Sequence, residues 1–239
     1  MKETTRKLIN DAITKWLASI VICLSENATQ AYAAGELHAN GYTKAGVSMA
    51  VVQKDALAYG EKYRKKLMED GEITVSIPLF DDDNKFVGVE VDEHYPWLKN
   101  TETELRAGIA DIITRGIAEG KATGVRVNKY GYYPVGTIAH ELQKLVQDTG
   151  ANAGMVARTE TAHCYYEGEI ERYTRAGVQV LRFAGGPNAC DLCEALIGKL
   201  FLIGTQPPIP MHPCCRCDYI PEFPTPEELA RMEVVGLNA

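Results

Sequence analysis

The sequence predicts an α+β protein: a mainly helical N-terminal half, then a helix-rich domain that ends in a small β module around a cysteine cluster. Three observations predict it. Apolar residues recur at helical spacing, first at Leu8, Ile9, Ala12, Ile13, Trp16, Leu17, Ile20 and Val21. Residues 73–77 and 86–91 alternate apolar and polar side chains, the period of a strand. Five of the seven cysteines lie between Cys190 and Cys217.

The chain has 239 residues, of which 46% are hydrophobic and 24% charged, enough for a buried core in one large or two modest domains. A formal charge of -7 and a pI of about 5.3 exclude the basic field of a dedicated duplex-DNA binder. No apolar run approaches the roughly 20 residues that a membrane span needs. Lys2, Arg6 and Lys7 ahead of an apolar stretch, with Ala31-Tyr32-Ala33 beyond it, have the outline of a secretory signal. Asp11 and Lys15 interrupt that outline, and the helical stripe is the better reading, so the protein is expected to be made in the cytoplasm.

In order along the chain, the first helix covers residues 8–24 and an alanine-rich one follows at 27–39, ended by Asn40-Gly41. A longer helix is expected over 43–68, with Val47, Val51, Leu57, Tyr63 and Leu67 inward, stopped by Gly71. The two alternating stretches make a β-hairpin near 72–91 around the turn Asp81-Asp82-Asp83-Asn84, which lacks the spaced ligands of a calcium loop. Thr101-Glu102-Thr103-Glu104 reads as a capping box that opens a helix with Leu105, Ile109, Ile112, Ile113 and Ile117 buried and Gly120 at its end. Residues 121–134, rich in Gly and Tyr, form an insertion or hairpin. Thr137 caps a further helix, with Ile138, Leu142, Leu145 and Val146 inward, as far as Gly150. Another runs over about 152–176 to Gly177, followed by a strand at 178–183, an extended proline-rich stretch at 221–226 and a short helix at 227–233. The division expected is an N-terminal region at 1–100, a domain at 101–222 and a tail at 223–239.

Chemistry concentrates in Cys190-Asp191-Leu192-Cys193 and His212-Pro213-Cys214-Cys215-Arg216-Cys217. A C-x-x-C pair can turn both sulfurs to one ion, and zinc in a structural site takes four S or N donors in a tetrahedron. The cluster therefore reads as a zinc knuckle at 190–217. A closed set of four leaves no position for water or substrate, so the zinc is structural, and in a module poor in apolar residues it supplies folding energy. Cys190, Cys193 and Cys215 are three of the ligands, the fourth is His212 or Cys217, and Cys214 points away. A redox pair is disfavoured because no strand–C-x-x-C–helix unit surrounds the cysteines.

Beyond the cysteines lies an ordered series of motifs. Ala157-Arg158-Thr159-Glu160-Thr161-Ala162 is followed by Tyr166-Glu167-Gly168, Arg172-Tyr173 and Ala176-Gly177-Val178. Then come a strand, the C-x-x-C pair, Gly198-Lys199 and His212 to Cys217. Over about residues 101–221 this series resembles the Mu F-like phage head-morphogenesis family. The chain differs from the family pattern at Cys214, where a polar residue is usual, and in lacking an acidic residue at 185–188. The resemblance implies a minor head (capsid) protein, present in few copies in the virion and assembled in the host cytoplasm. It also implies association with the phage portal protein and capsid proteins and a part in head assembly or genome delivery. No small-molecule substrate and no membrane partner are expected.

Two rival functions have residues to argue from. Glu169-Ile170-Glu171 superficially matches the paired glutamates of ADP-ribosyltransferases, but no Ser/Thr strand motif precedes it, and a solvated helix face is the preferred reading. His140-Glu141 and His163 lack H-E-x-x-H spacing, so no enzyme is expected. Arg172, Arg175, Arg182, Lys199 and Arg216 surround the cluster as a candidate basic patch of a nucleic-acid-binding zinc module, offset by Glu167, Glu169, Glu171, Asp191 and Glu194. Contact with packaged DNA is expected to be weak and salt-sensitive. Arg158 and Glu160 are expected to pair with each other's neighbours and fix how their helix docks beside the zinc loop.

Overall fold

The computed structural model describes residues 3–43, 46–80, 86–124, 126–186 and 189–236. The acidic turn at 81–84, Pro187, Asn188 and the side chains of Leu8 and Ile9 lie outside the described residues. The chain is α+β. Helices α1 (Glu3–Thr43) and α2 (Met49–Glu69) precede a hairpin of β1 (Ile73–Phe80) and β2 (Phe86–Tyr95). Helices α3 (Trp97–Ala118) and α4 (Ile138–Arg175) follow, then β3 (Val180–Ala184), α5 (Asp191–Glu194), β4 (Leu200–Leu202), β5 (Asp218–Glu222), α6 (Pro226–Leu229) and β6 (Val234–Val235). None of the described helices is long and apolar enough to cross a membrane.

Several boundaries differ from the sequence expectation, each for a local reason. The two expected N-terminal helices are one. Ser25 Oγ donates to the Val21 carbonyl at 2.7 Å and Thr29 Oγ1 to the Ser25 carbonyl at 3.0 Å, so the polar residues satisfy themselves within the helix instead of breaking it. Gly150 does not stop α4 either. An interior glycine costs a helix only about 1 kcal/mol, and nothing there requires the left-handed backbone that does end the helix at Gly177 (φ 72°). Helix α3 opens at Trp97, with Pro96 at its N-cap and Asn100 N–H bonded to the Pro96 carbonyl, so the expected capping box at Thr101 falls inside the helix. A capping box does form at Thr225 and Glu228, opening α6. Helix α2 is capped by Ser48, and its buried face is Val52, Ala56, Gly60, Tyr63 and Leu67; Val51 and Leu57, expected inward, are exposed.

Contacts divide the chain into two compact units: residues 1–20 with 96–156, and residues 21–95 with 157–239. The sequence division at 100 and 222 follows chain order, whereas each unit is assembled from separated stretches. In the first unit Ile13 and Leu17, one helical turn apart, pack on Leu105, with Trp16, Leu98, Ile109 and Leu145 around them. Trp97 is buried in this unit as well. A Cβ on Gly116 would lie 2.5 Å from Ile138 Cγ1, so Gly116 takes the inward place and Ile117, expected in the stripe, is exposed. The Thr137 hydroxyl accepts from His140 N–H at 3.2 Å, the N-cap read from the sequence. Lys121 Nζ meets Glu141 at 2.6 Å and Glu119 at 2.8 Å.

In the second unit α1 and α4 approach backbone to backbone. A Cβ on Gly35 would lie 1.9 Å from the Tyr165 carbonyl oxygen, and one on Gly168 would lie 2.2 Å from the Tyr32 carbonyl oxygen. Tyr32 stacks on Tyr59 of α2 with ring centroids 4.4 Å apart. The sheet runs in the order β5-β3-β4-β6, antiparallel except for the parallel β4–β6 pair, so the segment expected as a tail supplies an edge strand. Its core centres on Tyr219, opposite Phe183 in the ladder and edge-on to Phe183 and Phe201 at 5.3 and 6.1 Å. Tyr219 donates its hydroxyl to the Pro207 carbonyl at 2.8 Å. Cys193, Leu196, Ile209, Met211 and Cys215 belong to the same core, which sets the cysteine loops on a rigid base.

Candidate metal centre

Two short connections of the second unit carry the donors. The first leaves β3 at Ala184, passes Cys190 as the N-cap of α5, and turns at Gly198 (φ 83°) into β4. Gly198 N–H donates to the Phe183 carbonyl and Phe183 N–H to the Lys199 carbonyl, both at 2.9 Å, which fixes the turn to the sheet. The second connection is the turn at 212–215, closed by Cys215 N–H on the His212 carbonyl at 3.1 Å, and it runs directly into β5. The loops meet where a Cβ on Gly186 would lie 2.3 Å from the Arg216 carbonyl oxygen, a contact only glycine permits.

The side chains converge. Cys190 Sγ and Cys193 Sγ lie 3.3 and 3.2 Å from His212 Nε2, and Cys193 Sγ lies 3.8 Å from Cys215 Sγ. Cys193, Cys215 and Cys217 form a second set whose sulfurs are within 4.8 Å of one another, as are the donor atoms of Cys190, Cys193 and His212. Zn–S bonds of about 2.3 Å in a tetrahedron imply sulfur–sulfur edges of about 3.8 Å, and sulfur–nitrogen edges a little shorter. The cluster has that scale, so it could hold a metal ion. His212 Nδ1 is 3.0 Å from the Pro213 carbonyl, an acceptor only; Nδ1 therefore carries the proton and Nε2 turns its lone pair to the sulfurs. Burial pushes the Cys193 and Cys217 thiols above the ordinary cysteine range, and the Cys215 thiol beside them adds to the rise of both. A cation among them reverses that balance by favouring the thiolates.

The five sequence-expected donors fall into two sets, Cys190 with Cys193 and His212, and Cys193 with Cys215 and Cys217, which share Cys193. Cys214 belongs to neither set. Its backbone is left-handed (φ 60°), it is exposed, and its N–H donates to Thr159 Oγ1 at 3.2 Å. Thr159 therefore ties α4 to the cysteine turn. Glu160, expected to help dock the helix beside that turn, points elsewhere. It is buried and accepts from the Tyr63 hydroxyl at 2.5 Å, so it fastens α4 to α2.

Glu169 is the larger surprise, since the sequence reading placed it on a solvated face. It is 1% exposed, bonded to His38 Nδ1, and grouped with His38 and Asp218 within 4.8 Å. The signal for it was its register: Glu169 falls among Tyr166, Ile170 and Tyr173, the face of α4 that enters the core. Glu171, its expected companion, instead pairs with Arg175 at 2.7 Å. Three of the five candidate basic residues are engaged within the chain, while Lys199 and Arg216 are exposed. Arg172 is buried with Asn40 as a partner, Arg175 binds Asp55 and Glu171, and Arg182 meets Glu222 at 2.7 Å.

Comparison of the chain with protein-family models, with curated proteins and with solved structures gives no match in any of the three.

Proposed function

We propose that this chain is a minor head protein of the Mu F-like head-morphogenesis type, in which Cys190, Cys193, His212 and Cys215 hold a structural zinc ion. The observation that carries the reading is the bond from Cys214 N–H to Thr159 Oγ1. It joins two motifs of the resemblance, the Arg158-Thr159-Glu160 segment and the His212–Cys217 ending, in one unit of the fold. A motif series that closes on itself in space is a stronger argument than the same residues in sequence order alone.

Zinc is the metal that the donor chemistry favours. Thiolates and an imidazole in a small closed site suit Zn²⁺, whereas Mg²⁺, Ca²⁺ and Mn²⁺ prefer oxygen. His212 is the preferred fourth ligand because its Nδ1 is already committed to a carbonyl, the usual arrangement behind a metal-bound histidine. Cys217 lies within 4.8 Å of Cys193 and Cys215 and lines the same cavity as Cys190, Cys193 and His212, so it is the alternative fourth ligand. Four protein donors close the coordination, so the ion crosslinks two loops of a β module. The partners in this reading are the portal protein and capsid proteins at the portal vertex or capsid interior. A DNA-binding role has less support, because Arg175 and Arg182 are neutralised by acids within the chain.

The test is co-purification of the chain with a portal protein from the same genome, with zinc measured on the same sample. Retention of the portal protein through moderate salt, with about one zinc per chain, is the expected result. Zinc without portal retention removes the head-protein reading and leaves the metal centre standing; no zinc removes the metal centre.

A further inference from the structure

A second donor set in the same unit uses none of the cysteines or His212. His38 on α1, Glu169 on α4 and Asp218 at the start of β5 bring an imidazole Nδ1 and two carboxylate oxygens within 4.8 Å of one another. The close approach of α1 and α4 makes this possible: Glu169 directly follows Gly168, and His38 lies about one turn beyond Gly35.

The arrangement is incomplete as it stands. Glu169 is 1% exposed and its Oε1 engages His38 Nδ1; the Tyr165 hydroxyl and Asp218 lie against the same carboxyl, yet its buried Oε2 closes no hydrogen bond of ordinary geometry among the described residues. A buried carboxylate oxygen without such a bond, beside a second carboxylate, is a costly arrangement unless positive charge lies between them. A neutral imidazole supplies none, and a protonated one supplies a single charge. Arg158 and Arg216 line the adjoining groove with Glu169 and Asp218, but both arginines are exposed. The geometry points to a divalent-cation site held by His38 Nδ1, Glu169 and Asp218.

Its chemistry differs from that of the cysteine cluster. One imidazole and two carboxylates suit Mn²⁺, Fe²⁺ or Zn²⁺ and are poor for soft ions. Three protein donors leave coordination positions unfilled. Glu169 and Asp218 line a groove of about 440 Å³ together with Tyr165, Arg158 and Arg216, so water or an anionic group can complete the shell from that side. The inference does not depend on the head-protein reading or on which thiols bind zinc.

Mn²⁺ alone, titrated into the 239-residue chain as purified, is the probe. The signal of free aqueous Mn²⁺ in electron paramagnetic resonance reads the uptake. The expected result is one tightly held Mn²⁺ per chain, with Asp218→Asn and His38→Gln each weakening it at least about tenfold while zinc content is unchanged. Should Asp218→Asn lose zinc or helix content, His38→Gln decides, because that ring is 40% exposed whereas Asp218 begins strand β5 of the sheet. No Mn²⁺ uptake by the parent protein, or equal uptake by His38→Gln, overturns the proposal and leaves a carboxylate pair that holds only a proton.

Discussion

Gly35 and Gly168 face opposite helices at the same crossing, each filling the space where a side chain would strike the other helix's backbone. The pair sets the spacing of α1 and α4 in the second unit, and with it the reach of His38 to Glu169. Gly168→Ala is expected to destabilise the protein by about 1–3 kcal/mol, the usual cost of overpacking, since the obstructing atom is a carbonyl oxygen that cannot swing aside. Gly150→Ala on the same helix meets open space and is expected to stabilise by about 0.5–1 kcal/mol. Urea midpoints of the two variants check the contrast; equal shifts would refute it.

Cys193 is the donor shared by both sulfur sets, so Cys193→Ser is expected to abolish zinc retention and to open residues 180–222 to protease. Cys214→Ser is expected to keep both zinc and protection, because Cys214 belongs to neither set. Zinc content together with the pattern of limited proteolysis measures this. Equal zinc loss in the two variants would redraw the ligand set.

Tyr63 gives Glu160 its hydrogen bond inside the core. Tyr63→Phe leaves the acid buried without that donor and is expected to cost about 1–3 kcal/mol in thermal or urea unfolding. A loss near zero would mean that water reaches the carboxyl.

Burial raises the Glu160 carboxyl above its ordinary value of 4.5, which fixes the sign of a pH effect. Folding then favours the protonated acid. This contribution is fully present below about 4.5 and is lost as pH rises through the raised value, with a slope of at most about 1.4 kcal/mol per pH unit. Glu160→Gln is expected to flatten that decline. Stability curves of the two proteins between pH 5 and 8 test it, and parallel curves would remove Glu160 from the account.

How much of this was legible follows from where each interaction sits in the chain. The cysteine donors were readable because C-x-x-C and the cluster at 212–217 bring ligands together over a few residues. The Thr137 cap and the stop at Gly177 were readable for the same reason. Helix continuity through 25–29 and across Gly150 was not, since it rests on serine and threonine bonding back to their own helix and on a glycine that no turn uses. The start of α3 was misplaced because Thr101 and Glu104 satisfy a local pattern that also fits a helix already under way. Glu169 was the hardest. A charged side chain reads as solvent-facing until its partners appear, and those partners, His38 and Asp218, lie far away in sequence.

Both tryptophans of the chain, Trp16 and Trp97, belong to the first unit, while the Tyr32–Tyr59 stack and the Tyr219 core belong to the second. The molecule thus carries two separable optical reporters. Emission excited at the red edge of the indole band follows the surroundings of Trp16 and Trp97 alone, and tyrosine absorbance follows mainly the unit with the cysteine cluster. Any perturbation, from chelation to a binding partner, can be assigned to one unit or the other without a label being introduced.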